Sequence, residues 1–192
     1  MEKLKKAFTI NKLGDWVFKL RGGIWTLLFL AIILMAEPTW ESFRLGLIFV
    51  VLGQLLRFWA VGCIGKYRGE VVGAEKLVTT GAYAFARNPL YFANGLIGVG
   101  WSIISGRYTL LFFVIAFLIV YVLIIIPREE AFLREKFGVE YDTYCGKTGM
   151  FYPKTFPVSF KSESFSFYIL WKSERHSLYM TILGTVLLTI KI

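Results

Sequence analysis

Cysteine is nearly missing from this chain: Cys63 and Cys145 are the only two in 192 residues, which excludes a disulfide scaffold. Histidine is rarer, with His176 alone, and no His/Cys cluster has metal-ligand spacing, so no metal site is expected. Charged residues make up only 18%, against about 25% in an ordinary globular chain. Acids are outnumbered, 13 to 22, for a net charge of +9. Five prolines and no Gly-X-Y period exclude a collagen-like chain, and there is no βαβ unit or Gly-rich dinucleotide fingerprint. What remains is apolar: 56% AVILMFWYC and 18% aromatic, with a mean hydropathy of +0.60. That composition excludes a disordered chain, and because the apolar residues come in blocks it predicts an all-α, polytopic integral membrane bundle.

Two blocks approach the roughly 20 residues that span hydrocarbon. They are residues 45–64, which contain Gln54 and Arg57, and residues 108–126, which carry no charge. Residues 22–36 and 91–105 are shorter, and flanking aromatics such as Trp16, Phe18 and Trp40 complete them. Residues 177–190 either span or lie in the interface. Four to five helices are therefore expected in a single membrane domain over 1–192. The first block is followed by Glu37-Pro38 instead of a small-residue cleavage site, so it reads as a retained span. No internal repeat or low-complexity stretch is visible.

The basic charge reports orientation instead of nucleic-acid binding. Lys and Arg collect before the first block, in 65–88 and in 127–176, whereas the loop Glu37–Glu41 has none. The amino terminus and both long polar segments are thus expected in the cytoplasm. Two of these polar stretches carry the unusual residues, 75–91 and 127–144. Pro89 turns Asn88 out of helical conformation, so Asn88 is placed to cap the third span. Glu129 and Glu130 are neighbours about 100° apart on a helix. Glu130 has Arg134 one turn on, an ordinary surface pair. Glu129 has Phe132 and Leu133 instead, and a carboxylate at the hydrocarbon edge needs a polar partner or ligand.

Leu77-Val78-Thr79-Thr80-Gly81-Ala82-Tyr83, then Arg87-Asn88-Pro89-Leu90-Tyr91, then Glu129-Glu130 with Leu133, Phe137-Gly138, Tyr141 and Tyr144 form a series. In order and spacing it resembles the isoprenylcysteine carboxyl methyltransferase family, related to membrane phospholipid methyltransferases. The resemblance covers residues 70–153. It implies an S-adenosylmethionine-dependent enzyme with the cofactor enclosed by cytoplasmic segments and a lipophilic or prenylated acceptor drawn from the surrounding membrane lipids. Carried over by position, the cofactor contacts fall on Glu75, Lys76, Leu77, Val78, Tyr83, Asn88, Pro89, Leu90, Tyr91 and Glu129. Arg87, Arg128 and Tyr141 are the catalytic candidates. The family often has His at the positions of Glu75 and Asn88, and its eukaryotic members place an acceptor-contacting arginine where Ile125 stands; Arg128 is the nearest substitute, on another face.

Methyl transfer from a sulfonium is an in-line displacement that asks mainly for proximity and alignment. A carboxylate or thiolate acceptor needs no base, while an amine must lose a proton, to Tyr or Glu. Phospholipid N-methylation is the alternative within this chemistry. Gln54 and Arg57 inside a span offer a reading of another class, a small transporter or non-enzymatic membrane module. Gly100-Trp101-Ser102 with His176 as an intramembrane serine hydrolase is weaker, since a lone Gly-x-Ser in a span usually packs helices. Gly95, Gly98 and Gly100 suit close helix approach. The aromatic extension 154–192 reads as an interfacial belt outside the resemblance.

Overall fold

The computed structural model describes residues 20, 23–64, 76–155 and 165–192. Its elements are α1 (Gly23–Leu34), α2 (Trp40–Ile64), α3 (Ala82–Phe85), α4 (Pro89–Ser105), α5 (Arg107–Phe117), a π-helical stretch (Leu118–Ile125), α6 (Ile126–Phe137), α7 (Val139–Lys147) and α8 (Phe167–Thr189). Among the described residues there is no strand, only an isolated bridge between Thr148 and Pro153. The all-helical expectation holds. Two helices, α2 and the continuous run Tyr108–Phe137, are long and apolar enough to cross a membrane.

Several boundaries differ from those read in the sequence. Helix α2 begins at Trp40, because Thr39 and Ser42 cap it reciprocally: the Ser42 N–H donates to Thr39 Oγ1 at 3.2 Å and the Thr39 N–H to Ser42 Oγ at 3.0 Å. The fourth apolar block does not stop at 126 but continues as one 30-residue helix, about 45 Å long at about 1.5 Å per residue. Pro127 has no N–H and crowds the carbonyl one turn before it; the wide π turns that precede it give it room. Helix α8 starts at Phe167, well before the expected Ser177, with Ser166 Oγ accepting from Ile169 N–H at 3.4 Å.

Glycines set the closest crossing. A Cβ on Gly100 would lie 2.6 Å from the Gly46 carbonyl oxygen, and one on Gly53 2.8 Å from that of Ala93, so α2 and α4 pack backbone to backbone. On the neighbouring face of α4, Gly98 receives the Phe113 ring and Gly95 that of Phe117, as close packing by these glycines requires. Ser102 Oγ donates to the Gly98 carbonyl at 2.7 Å within its own helix, and His176 is exposed, so the hydrolase pairing does not form. Helix α8 is built into the bundle: Leu188 shares a core with Ala36, Val50 and Ile104, and Trp101 Nε1 donates to Thr185 Oγ1 at 3.0 Å. It is not merely an interfacial belt.

Arg57 neither snorkels nor lines a polar path. Its Nε and Nη2 donate to the two Glu174 oxygens at 2.8 and 3.0 Å, and its Nη1 to Asn94 Oδ1. Glu174 is 1% exposed.

Candidate active site

The two polar stretches meet at the start of α4. The Arg87 and Asn88 backbone N–H groups donate to the Gly149 and Met150 carbonyls at 3.0 and 3.1 Å, laying the segment after α7 along the entrance to α4. Phe92 and Phe151 stack beside them at 5.8 Å between ring centroids. Gly138, at φ 51°, turns the chain between α6 and α7 so that α7 folds back. Tyr141 and Tyr144 on α7 then pack on Leu77, and Tyr144 Oη donates to the Tyr83 carbonyl at 2.6 Å.

Both Glu129 and Glu130 of α6 reach this helix start, although they leave α6 in different directions. Glu130 accepts from Arg87 Nε at 3.0 Å and Nη2 at 3.1 Å, and from Asn88 Nδ2 at 2.9 Å. Arg87 Nη1 closes the clasp on the Thr148 carbonyl. Glu129 accepts from Tyr91 Oη at 2.6 Å. The expected Glu130–Arg134 surface pair is not made: Arg134 donates to Asp142 at 2.8 Å, since α7 brings that acid back over α6. Asn88 does occupy the N-cap position of α4, but its side chain makes no cap hydrogen bond and goes to Glu130 instead.

Burial disfavours the Arg87 charge, yet the hydrogen bonds and negative charge of Glu130 outweigh it and raise the Arg87 pKa. Tyr141 is 1% exposed; burial and then the Glu130 charge push its pKa well above the usual phenol value. Its hydroxyl meets no nitrogen or oxygen partner among the described residues. Burial likewise raises Tyr144.

The structure therefore brings Arg87, Asn88, Pro89, Tyr91, Glu129 and Tyr141 into one region, with Leu77, Val78, Tyr83 and Leu90 packed in the adjoining cores. Lys76 is exposed and Arg128 half-buried. Glu75 lies outside the described residues. Sequence reasoning missed Thr148 and Glu130 as parts of the clasp. Thr148 enters through a carbonyl, which no residue type announces, and Glu130 had an equally plausible local partner in Arg134. Among the described residues no group of three or more His, Cys, Asp or Glu side chains is placed to hold a metal.

An all-helical membrane chain whose polar ends are clasped at the head of one helix matches, over residues 41–140, the family model for phospholipid methyltransferase. The chain belongs to the phospholipid methyltransferase family. It is 35% identical over 100 residues to a protein-S-isoprenylcysteine O-methyltransferase of Mus musculus, covering 49% of this chain and 30% of the mouse protein. It is 30% identical over 115 residues to a probable protein-S-isoprenylcysteine O-methyltransferase of Oryza sativa subsp. indica, covering 56% of this chain and 59% of that one. It is also 28% identical over 167 residues to the nickel-cobalt-cadmium resistance protein NccN of Alcaligenes xylosoxydans xylosoxydans, covering 80% of this chain and 73% of the relative. The chain thus spans less than two thirds of the two methyltransferase relatives. No solved structure matches.

Proposed function

We propose that this protein is an S-adenosylmethionine-dependent methyltransferase that acts on a lipophilic acceptor at the cytoplasmic face of a membrane. The observation that carries this reading is the clasp of Glu130 on Arg87 and Asn88 beside the Glu129–Tyr91 bond, which joins the two halves of the family-like region. The residues present fit the donor's chemistry. S-adenosylmethionine carries a sulfonium, an ammonium and hydrogen-bonding groups; Glu129 offers a carboxylate for the cationic part, and the buried Tyr141 hydroxyl offers a donor with no nitrogen or oxygen partner among the described residues. When bound, the cofactor supplies the methyl group. Tyr91 orients Glu129, the clasp keeps α6 against α4, and Leu77, Val78 and Tyr83 exclude water from one side.

In this reading α1, α4 and α8 cross the membrane beside α2 and the Tyr108–Phe137 helix, and the basic segments face the cytoplasm. A polar donor then enters from water and an apolar acceptor from the bilayer. A prenylated or other lipophilic carboxylate needs no base, which suits a site whose one described histidine is distant in the chain and exposed. The relative named for nickel, cobalt and cadmium resistance is accommodated by methylation of a membrane component, with no metal ligand needed from this chain.

The test is calorimetric titration of the purified protein in lipid with S-adenosylhomocysteine, beside Glu129→Ala. Binding by the wild type and its loss in the variant is the expected result. A folded wild type that takes up no ligand would remove the reading and leave a transport or other non-enzymatic membrane role.

A further inference from the structure

A cavity of about 290 Å³ lies between α1, α4, the Phe113–Tyr121 stretch and α8. Its walls are mainly apolar, with Phe29, Ile97, Trp101 and Phe113 among them. Two of the polar groups on the side of α4 and α8 are engaged already: Thr181 Oγ1 donates to the Ser177 carbonyl at 2.9 Å, and Asn94 Oδ1 accepts from Arg57. One wall group differs. Trp25 lines the cavity, and its indole nitrogen is buried with no hydrogen-bond partner among the described residues. An indole N–H is a donor only, so a buried one favours a ligand oxygen over water-free packing.

Trp25 also marks one end of the cavity. Its ring stacks on Tyr121 at 4.9 Å, Tyr121 lies 4.7 Å from Tyr91, and Tyr91 holds Glu129. The indole N–H is therefore one aromatic pair away from the candidate methyl-transfer site, and the apolar walls include Phe29 and Trp101, which are 4.5 Å apart. We propose that this cavity binds a single-chain amphiphile through the Trp25 N–H, which donates to a carbonyl, ether or hydroxyl oxygen of that ligand. Naming the ligand the methyl acceptor rests on the function proposed above; the binding site itself does not. The volume holds roughly ten non-hydrogen atoms at about 30 Å³ each, a liquid water's share. That space suits a segment of one chain rather than two chains side by side. Helix α8 supplies one wall, and the Arg57–Glu174 pair holds that wall in place.

The experiment uses the protein in phosphatidylcholine nanodiscs with 10-bromo-2-decanone and 1-bromodecane as probes, because bromine quenches nearby tryptophans and both Trp25 and Trp101 line the cavity. Saturable quenching by the ketone is expected, with about tenfold weaker affinity for the alkyl bromide and for the ketone on Trp25→Phe, where Trp101 still reports. Tenfold corresponds to about 1.4 kcal/mol, the size of one neutral hydrogen bond. Ser177→Leu, which fills the cavity from α8, is expected to abolish saturation. Quenching that rises without saturation, as partition into lipid does, overturns the site; equal affinity for the two probes overturns the role of Trp25. S-adenosylhomocysteine is titrated into the same discs. Its binding without saturable quenching removes the cavity site and leaves the methyl-transfer reading. Saturable quenching without its binding keeps the site but overturns its assignment to an acceptor.

Discussion

Two ion pairs of nearly the same design meet the N-terminal part of α4, one at Asn88 and one at Asn94. Arg57–Glu174 and Arg87–Glu130 are both bidentate, both mostly buried, with side-chain exposures of 12% and 1% in one and 11% and 13% in the other, and both recruit an asparagine of α4, Asn94 or Asn88. They differ in what they join. The first ties the C-terminal helix to α2 inside the bundle; the second ties the head of α4 to α6 and, through Thr148, to the turn after α7. Equal chemistry thus serves a scaffold in one place and a candidate site in the other. Bond geometry alone does not tell them apart; the elements they connect do.

Removing one partner of a buried pair strands a charge and costs about 3–5 kcal/mol. Glu130→Ala should lose that much stability and also S-adenosylhomocysteine binding, read by denaturation and calorimetry on the same preparation. Glu174→Ala should lose comparable stability but, measured on the folded fraction, keep the ligand affinity. If the two variants lost affinity equally, the division between scaffold and site would collapse. Double exchange, Arg57→Glu with Glu174→Arg, should recover part of the stability, because geometry and not sign defines a tie.

The smaller effects sharpen the same division. Tyr91→Phe removes a hydrogen bond to a carboxylate, worth about 1.5–3 kcal/mol, and should lower the melting temperature by several degrees and weaken S-adenosylhomocysteine by tenfold or more. Tyr141→Phe should change stability at neutral pH by less than about 0.5 kcal/mol, since the lost hydroxyl had no nitrogen or oxygen partner among the described residues. Its signature is at alkaline pH. Burial and the Glu130 charge raise the folded-state pKa of Tyr141 above the unfolded value of about 10. The neutral phenol then contributes stability that is full below about pH 10 and declines as pH rises beyond it, when the unfolded chain ionises first. Melting temperatures of Tyr141→Phe should fall less steeply above pH 10 than those of the wild type.

The helical class and the close packing at Gly95, Gly98 and Gly100 were legible because apolar blocks and small residues act locally along one helix. The helix ends were less legible. Residues 126–137 turn polar while the backbone stays helical, so hydropathy ends at Pro127 where the hydrogen-bond ladder does not. The roles of Glu174 and Arg57 rest largely on each other, 117 positions apart, which no local pattern reports. In the candidate site, Asn88 and Glu129 could be picked out by residue type and edge position, and Tyr91 only through the family resemblance. Glu130 could not, because Arg134 at one-turn spacing satisfied it on paper; the return of Asp142 over α6 released it.

The uninterrupted helix from Tyr108 to Phe137 has a mechanical consequence. One continuous helix carries both the exposed apolar residues near its start and Glu129 and Glu130 near its end. A bilayer that thins or thickens makes such a helix tilt, and tilt at one end displaces the carboxylates at the other relative to Asn88 and Tyr91. Bilayer thickness thereby becomes an input to this site, so the same polypeptide would be tuned differently by membranes of different lipid length.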